Sequence, residues 1–186
     1  MKRSWFGIAL LLVLALPAGA STFLAMSQEE LVEKSGAVVA GRVVEVSSYW
    51  NREGTAIFTE AVIEVQDSLL GKAPGHVRVR TFGGEVGDVK LVAPGFPTFA
   101  RGEKLLLFLE PKKDGFHRVL GYQQGQFRIR PDPSGREMAV PSWEADTARI
   151  LKADGTTLRV PRAVPLEDLK RQIRETAVRV GRPQAQ

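Results

Sequence analysis

Reactive side chains are scarce in this chain. Its 186 residues include two histidines and no cysteine, so thiolate nucleophiles, thiolate metal sites and disulfide staples are excluded together. His76 and His117 each stand without a second ligand at metal-binding spacing and read as strand-surface residues. No G-x-S-x-G elbow, phosphate loop or H-E-x-x-H pair occurs. Gly83-Gly84-Glu85-Val86-Gly87 is glycine-rich, but it lacks the lysine and the following helix of a phosphate loop and reads as a connection. Carboxylates fall singly on predicted strand faces, where nothing in their spacing pairs two of them at a glycosidase separation. The expectation is a protein that is not an enzyme, with no cofactor and no bound metal.

Binding is the chemistry the remaining side chains can supply. Tyr49 and Trp50 fall in a polar stretch, Ser47 to Gly54, read as a loop; Phe96 and Phe99 fall in the proline-rich Pro94-Gly95-Phe96-Pro97-Thr98-Phe99. Large rings on loops anchor partners. They also plug the open ends of barrels, and the sequence leaves both roles open.

The N-terminus supplies an address. Lys2 and Arg3 precede an apolar run from Trp5 to Leu16, broken only by Gly7; Pro17 and Ala18-Gly19-Ala20 follow. This is the pattern of a cleaved signal peptide, shorter than the roughly 20 apolar residues of a membrane span. The expected mature chain starts at Ser21, is exported to the periplasm or beyond the cell, and has no membrane span. Basic residues outnumber acidic ones 26 to 21, and the excess lies in the signal and in the tail. That tail carries Arg159, Arg162, Lys170, Arg171, Arg174, Arg179 and Arg182 against Glu167, Asp168 and Glu175. A basic tail suits anionic surfaces or simply a solvated helix face; export argues against nucleic acid.

The elements that would position these residues are mostly strands. Ser27 with Glu30 is a capping box that opens a short helix through about Lys34, with Leu31 and Val32 turned inward. Ala37 to Val46 is too rich in β-branched residues for a helix, and Gly41 within it predicts a bend or bulge. In Ala56 to Gln66, Ile57, Thr59, Ala61, Ile63 and Val65 share one face, while Phe58, Glu60, Val62 and Glu64 share the other. His76 to Phe82 alternates Val77 and Val79 with Arg78 and Arg80; Lys104 to Glu110 is almost wholly apolar and should be the most buried strand. Phe116 to Leu120 and Gln126 to Arg130 complete the set. Ile150 to Val160 predicts a hairpin turning at Asp154-Gly155. A helix should begin near Pro165, with Leu166, Leu169, Ile173 and Ala177 on one stripe, and the chain should fray from Gly181. The fold class implied is mainly β: a small antiparallel barrel of the OB type, with a short N-terminal helix and a C-terminal hairpin plus helix. A β-sandwich is the alternative. The expected organisation is a signal at 1–20, the barrel at 21–130 and an extension at 131–186.

Three stretches carry a resemblance. They are Glu30 to Val43, with Val38-Val39-Ala40-Gly41-Arg42-Val43 at its end; Glu64 to Gly71, ending Leu69-Leu70-Gly71; and Gly102-Glu103-Lys104-Leu105-Leu106-Leu107-Phe108-Leu109. Together with Val119 to Phe127 they resemble an uncharacterised family of exported bacterial proteins. The same order of elements is similar to the OB-fold domain of tissue inhibitors of metalloproteinases and of netrin-like modules, over roughly Ser21 to Arg130. The resemblance implies a binding module whose partner is a protein, a secreted metalloprotease in the version closest to those inhibitors. In that family an N-terminal cysteine, braced by a disulfide, meets the protease zinc through its amine and carbonyl. Ser21 would stand in that place here, without the cysteine. The competing expectation is a cell-envelope module that binds anionic or glycan surface through Arg78, Arg80 and the basic C-terminal segment.

Overall fold

The computed structural model describes residues 21–143, 148–157 and 161–182; the expected signal, 1–20, lies outside them. In chain order the elements are β1 (Ser21–Leu24), α1 (Gln28–Lys34), β2 (Ala37–Trp50), β3 (Ile57–Leu70), β4 (His76–Phe82), β5 (Gly84–Val86), β6 (Val89–Leu91), β7 (Lys104–Pro111) and β8 (His117–Val119). A 3-10 turn at Tyr122–Gly125 leads to β9 (Gln126–Pro131), followed by β10 (Glu137–Pro141), β11 (Ala148–Leu151), β12 (Val164–Pro165) and α2 (Leu166–Arg179).

Five of these strands close a barrel. β2 pairs antiparallel with β3 and with β7, β3 with β4, and β7 with β8; a single parallel contact, Val79 with His117, joins β4 to β8 and shuts the ring. The β2-β3-β4-β8-β7 circuit with one parallel seam is OB-like, and closure sets the sandwich alternative aside.

Strand alternation divides the apolar residues into two cores. Ala37, Val39, Val43, Ala61, Ile63, Val77, Val79, Leu105, Leu107, Leu109 and Val119 fill the barrel. Val38, Ala40, Leu106 and Phe108 point the other way, onto Leu31 and Val32 of α1, Ala139 of β10 and Leu166, Leu169, Ile173 and Ala177 of α2. β7 thus buries both faces, as its unbroken apolar run predicts. β2 and β3 shift register between Ala40 and Gly41, which is the bulge expected at that glycine. A Cβ there would run into the Glu64 carbonyl oxygen, so the two backbones approach closely because Gly41 has no side chain.

The C-terminal segment is woven into this body. β10 extends the sheet beyond β9, β12 pairs with β10, and α2 covers the outer core. α1 starts as expected, with Ser27 and Glu30 each closing a hydrogen bond to the other's backbone. α2 starts one residue later than the sequence suggests, with Pro165 as its cap. Asp154-Gly155 turns the expected hairpin, with Lys152 N–H donating to the Thr156 carbonyl; residues 158–160 lie outside the described set. At Gly181 and Arg182, where fraying is expected to begin, Arg182 N–H donates to the Ala177 carbonyl and its guanidinium to the Ser35 carbonyl; residues 183–186 lie outside the described set. No helix among the described residues is long and apolar enough to cross a membrane.

Candidate functional site

The outward faces of β3 and β4 carry the densest set of functional side chains. Cross-strand register places Tyr49 beside Phe58, Phe58 beside Phe82, Glu60 beside Arg80 and Val62 beside Arg78. Their rings form a continuous row. Tyr49 stacks at 6.5 Å on Phe58, which meets Phe82 edge-on at 5.5 Å. Phe82 lies 5.6 Å from Phe96, and Phe96 lies 4.8 Å from Tyr122 and 6.3 Å from Phe23 of β1. Every ring in the row is half-buried.

A charged cluster runs beside the rings. Glu60 accepts from the Tyr49 hydroxyl at 2.5 Å, from Arg78 at 3.0 Å and from Arg80 at 3.0 Å. Arg80 also donates to Asp114 at 2.7 Å. Both guanidiniums lie over the Phe116 ring, at 4.1 Å for Arg78 and 3.6 Å for Arg80, a favourable cation–π geometry. Burial pushes the Glu60 carboxyl upward, but its hydrogen bonds from Tyr49, Arg80 and Arg78 outweigh that and hold it below the usual carboxylate range. Burial, and then the bond to Glu60, raise the Tyr49 phenol. A cleft of about 210 Å³ opens between these groups and the β7–β8 turn, lined among others by Phe58, Arg80, Phe96, Phe116 and His117. His117 is no plain surface residue: its Nδ1 is buried in this wall and has no hydrogen-bond partner.

The residues singled out in the sequence distribute unevenly. Tyr49 and Trp50 do not lie in a loop, because β2 runs on to Trp50 by pairing with Ile57; the connection is only 51–56. Tyr49 is tied into the Glu60 cluster, while Trp50 ends the strand with 39 % of its surface exposed. Phe96 joins the aromatic row. Phe99 does not, and packs instead against the barrel core, the plugging role. Ser21 opens β1, which pairs in parallel with β11 through Ala148. Two residues on, Phe23 reaches the row. Phe58, Glu60, Phe82, Phe116 and Tyr122 were not singled out, although opposite charges and rings at matching places on two adjacent strands were the available signal.

Part of the basic tail is tied to the rest of the fold, while Arg162 and Arg171 stay exposed. Lys170 and Arg174 both reach Asp67 of β3, at 3.0 Å and 3.3 Å, and Arg179 reaches Glu29 of α1. Burial works against the charge on Lys170, yet its bonds to Glu167 and Asp67 hold its affinity for the proton above the usual value. Among the described residues no three His, Asp or Glu side chains gather into a metal site. In comparisons with known proteins, no family model, no curated protein and no solved structure matches this chain.

Proposed function

We propose that this chain is an exported, non-enzymatic binding module that holds a protein partner across the β3–β4 face. The observation that carries the reading is the half-buried row from Tyr49 to Phe23, flanked by Arg78, Arg80 and exposed Trp50. Tyrosine, tryptophan and arginine are the residue types that dominate binding energy at protein interfaces; the OB-fold places oligonucleotide and oligosaccharide ligands on the corresponding strand face, so the barrel argues for the place of binding and the side chains for the kind of partner. The arginines are already answered by Glu60 and Asp114, so the face offers shape and rings more than net positive charge. Together with the pairing of Lys170, Arg174 and Arg179 to Asp67 and Glu29, this favours a protein over a polyanionic envelope surface. A photo-crosslinking residue in place of Trp50 should give one dominant protein adduct in the exporting cell, and the same residue at exposed Arg130 should give none. Adducts of equal yield from both positions would remove the reading.

The partner implied by the resemblance is a secreted metalloprotease. Support comes from the place of Ser21: after removal of 1–20 it would be a terminus braced by β11 pairing, where the metalloproteinase inhibitors use a disulfide. Protein starting at Ser21 should then slow a co-secreted zinc protease, and one extra alanine before Ser21 should abolish the effect. Inhibition by neither form would leave the protease out of the account, and equal inhibition by both would remove Ser21 as the contact to its zinc.

A further inference from the structure

The hairpin of β2 and β3 runs on past the point where β7 begins, and this leaves one strand edge open. β7 pairs with β2 from Ala37 to Arg42, and the chain just before it still bonds to Val43 through the Glu103 carbonyl and the Gly102 N–H. From there to Trp50, β2 has a ladder with β3 alone. The hydrogen bonds at the hairpin's end fix which residues face the open side. Asn51 N–H donates to the Ala56 carbonyl, and the next carbonyl, of Ile57, turns away from β2 to accept from Gly83 N–H. Antiparallel pairs alternate between bonded and non-bonded, so Tyr49–Phe58 and Ser47–Glu60 are bonded pairs. Val46, Ser48 and Trp50 therefore turn their N–H and C=O groups away from β3. Among the described residues no strand pairs with this edge, and no turn or loop backbone bonds to these groups.

An open edge is a template for pairing, and folds guard such edges by shortness, proline or lysine. β12 is two residues long and ends in Pro165, and β6 is three residues long with Lys90 at its centre. Val44 to Trp50 has no proline and no basic residue, and its one charge is Glu45. The edge is also complementary to itself. A two-fold axis at Ser48 sets this residue against Ser48 of a second copy, and sets Val46 against Trp50 in both directions. Every outward N–H and C=O of Val46, Ser48 and Trp50 then finds a partner. Trp50, 39 % exposed in the single chain, gains a β-branched neighbour across the seam, a favourable cross-strand pair. The two Glu45 carboxylates stand about 20 Å apart along the strands, at ~3.3 Å per residue, well beyond the range of screened repulsion.

We propose that a second copy of this chain pairs with the β2 edge from Val46 to Trp50, joining two barrels about a two-fold axis. The pairing goes beyond the partner face, because the ring row lies on the outward surface of the sheet and the seam uses its edge. Purified protein starting at Ser21, with no other protein present, should sediment as a reversible monomer–dimer mixture between micromolar and near-millimolar concentration. In hydrogen exchange, the amides of Val46, Ser48 and Trp50 should gain protection as concentration rises. Those of Ser47 and Tyr49, already in the β3 ladder, should not change. Ser48→Pro removes an outward N–H and no bond to β3, so it should weaken the dimer at least about tenfold. Ser48→Ala, which loses only the hydroxyl that meets Thr59, should dimerise as the wild type does. A monomer throughout, wild-type dimerisation in a folded Ser48→Pro, equal weakening in both variants, or protection gained elsewhere instead would each overturn the proposal. Should Ser48→Pro fail to fold, the exchange pattern of the wild type decides alone. None of these outcomes bears on the β3–β4 partner, whose crosslinked adduct differs in mass from twice this chain.

Discussion

At the scale of single residues, Glu60 is where stability and the proposed binding face meet. One half-buried carboxylate accepts from Tyr49, Arg78 and Arg80, so its loss frees three donors at once. Glu60→Gln should lower stability at neutral pH by about 1–3 kcal/mol, read as a shift in urea midpoint. The sign of its pH dependence follows from its lowered folded-state pKa. Glu60 stabilises the fold above the unfolded carboxylate value near ~4.3, and that contribution disappears as pH falls through the lower folded value. Wild-type stability should therefore drop more steeply in acid than that of Glu60→Gln; parallel acid limbs would contradict the geometry. Gly41 makes a different demand, for space alone. Gly41→Ala pushes a methyl into the Glu64 carbonyl and should cost about 1–3 kcal/mol by overpacking, with the same urea measurement as the check.

At the scale of elements, α2 decides what the basic tail is for. Its stripe of Leu166, Leu169, Ile173 and Ala177 lies in the outer core, and its cations reach Asp67 and Glu29. Ile173→Ala should cost about 2–5 kcal/mol, as buried isoleucine truncations do, and calorimetry would show the fall in Tm. A chain cut before Leu158 should fail to fold, so such a deletion cannot report on surface binding; Arg171→Glu, on an exposed position of α2, can. Elements whose signal is local were legible in the sequence: the Ser27–Glu30 cap, the alternation of β3 and β4, the two-faced burial of β7 and the stripe of α2. Elements made by distant pairing were not. β2 reaches Trp50 only because Ile57 returns beside it, so polar Ser47 and Ser48 read as loop. The parallel pairing of β1 with β11, and the Val79–His117 seam that closes the barrel, join residues far apart in sequence and leave no periodicity to find. The aromatic row was hidden for the same reason, since its members come from six separate segments.

At the scale of the molecule, β7 makes two cores into one cooperative body. Leu105, Leu107 and Leu109 fill the barrel while Leu106 and Phe108, on the same eight residues, hold the helices. An opening that exposes one face of β7 removes the support of the other. The expected split into a barrel at 21–130 and an extension at 131–186 would otherwise allow the two parts to melt apart, and tryptophan can tell these cases apart. Trp50 ends β2 at one end of the barrel, whereas Trp143 is 5 % exposed and lies just beyond β10. With Trp5 replaced by Phe throughout, Trp50→Phe leaves a reporter on the extension and Trp143→Phe leaves one on the barrel. After correction for each substitution's own effect on far-ultraviolet unfolding, the two fluorescence midpoints in urea should coincide, as a two-state transition requires. Leu106→Ala, facing the helices, and Leu107→Ala, facing the barrel, should each move both reporters together. If Leu106→Ala shifted only the Trp143 signal, the outer layer would be an independent unit, and β7 would not transmit the loss of packing from one face to the other.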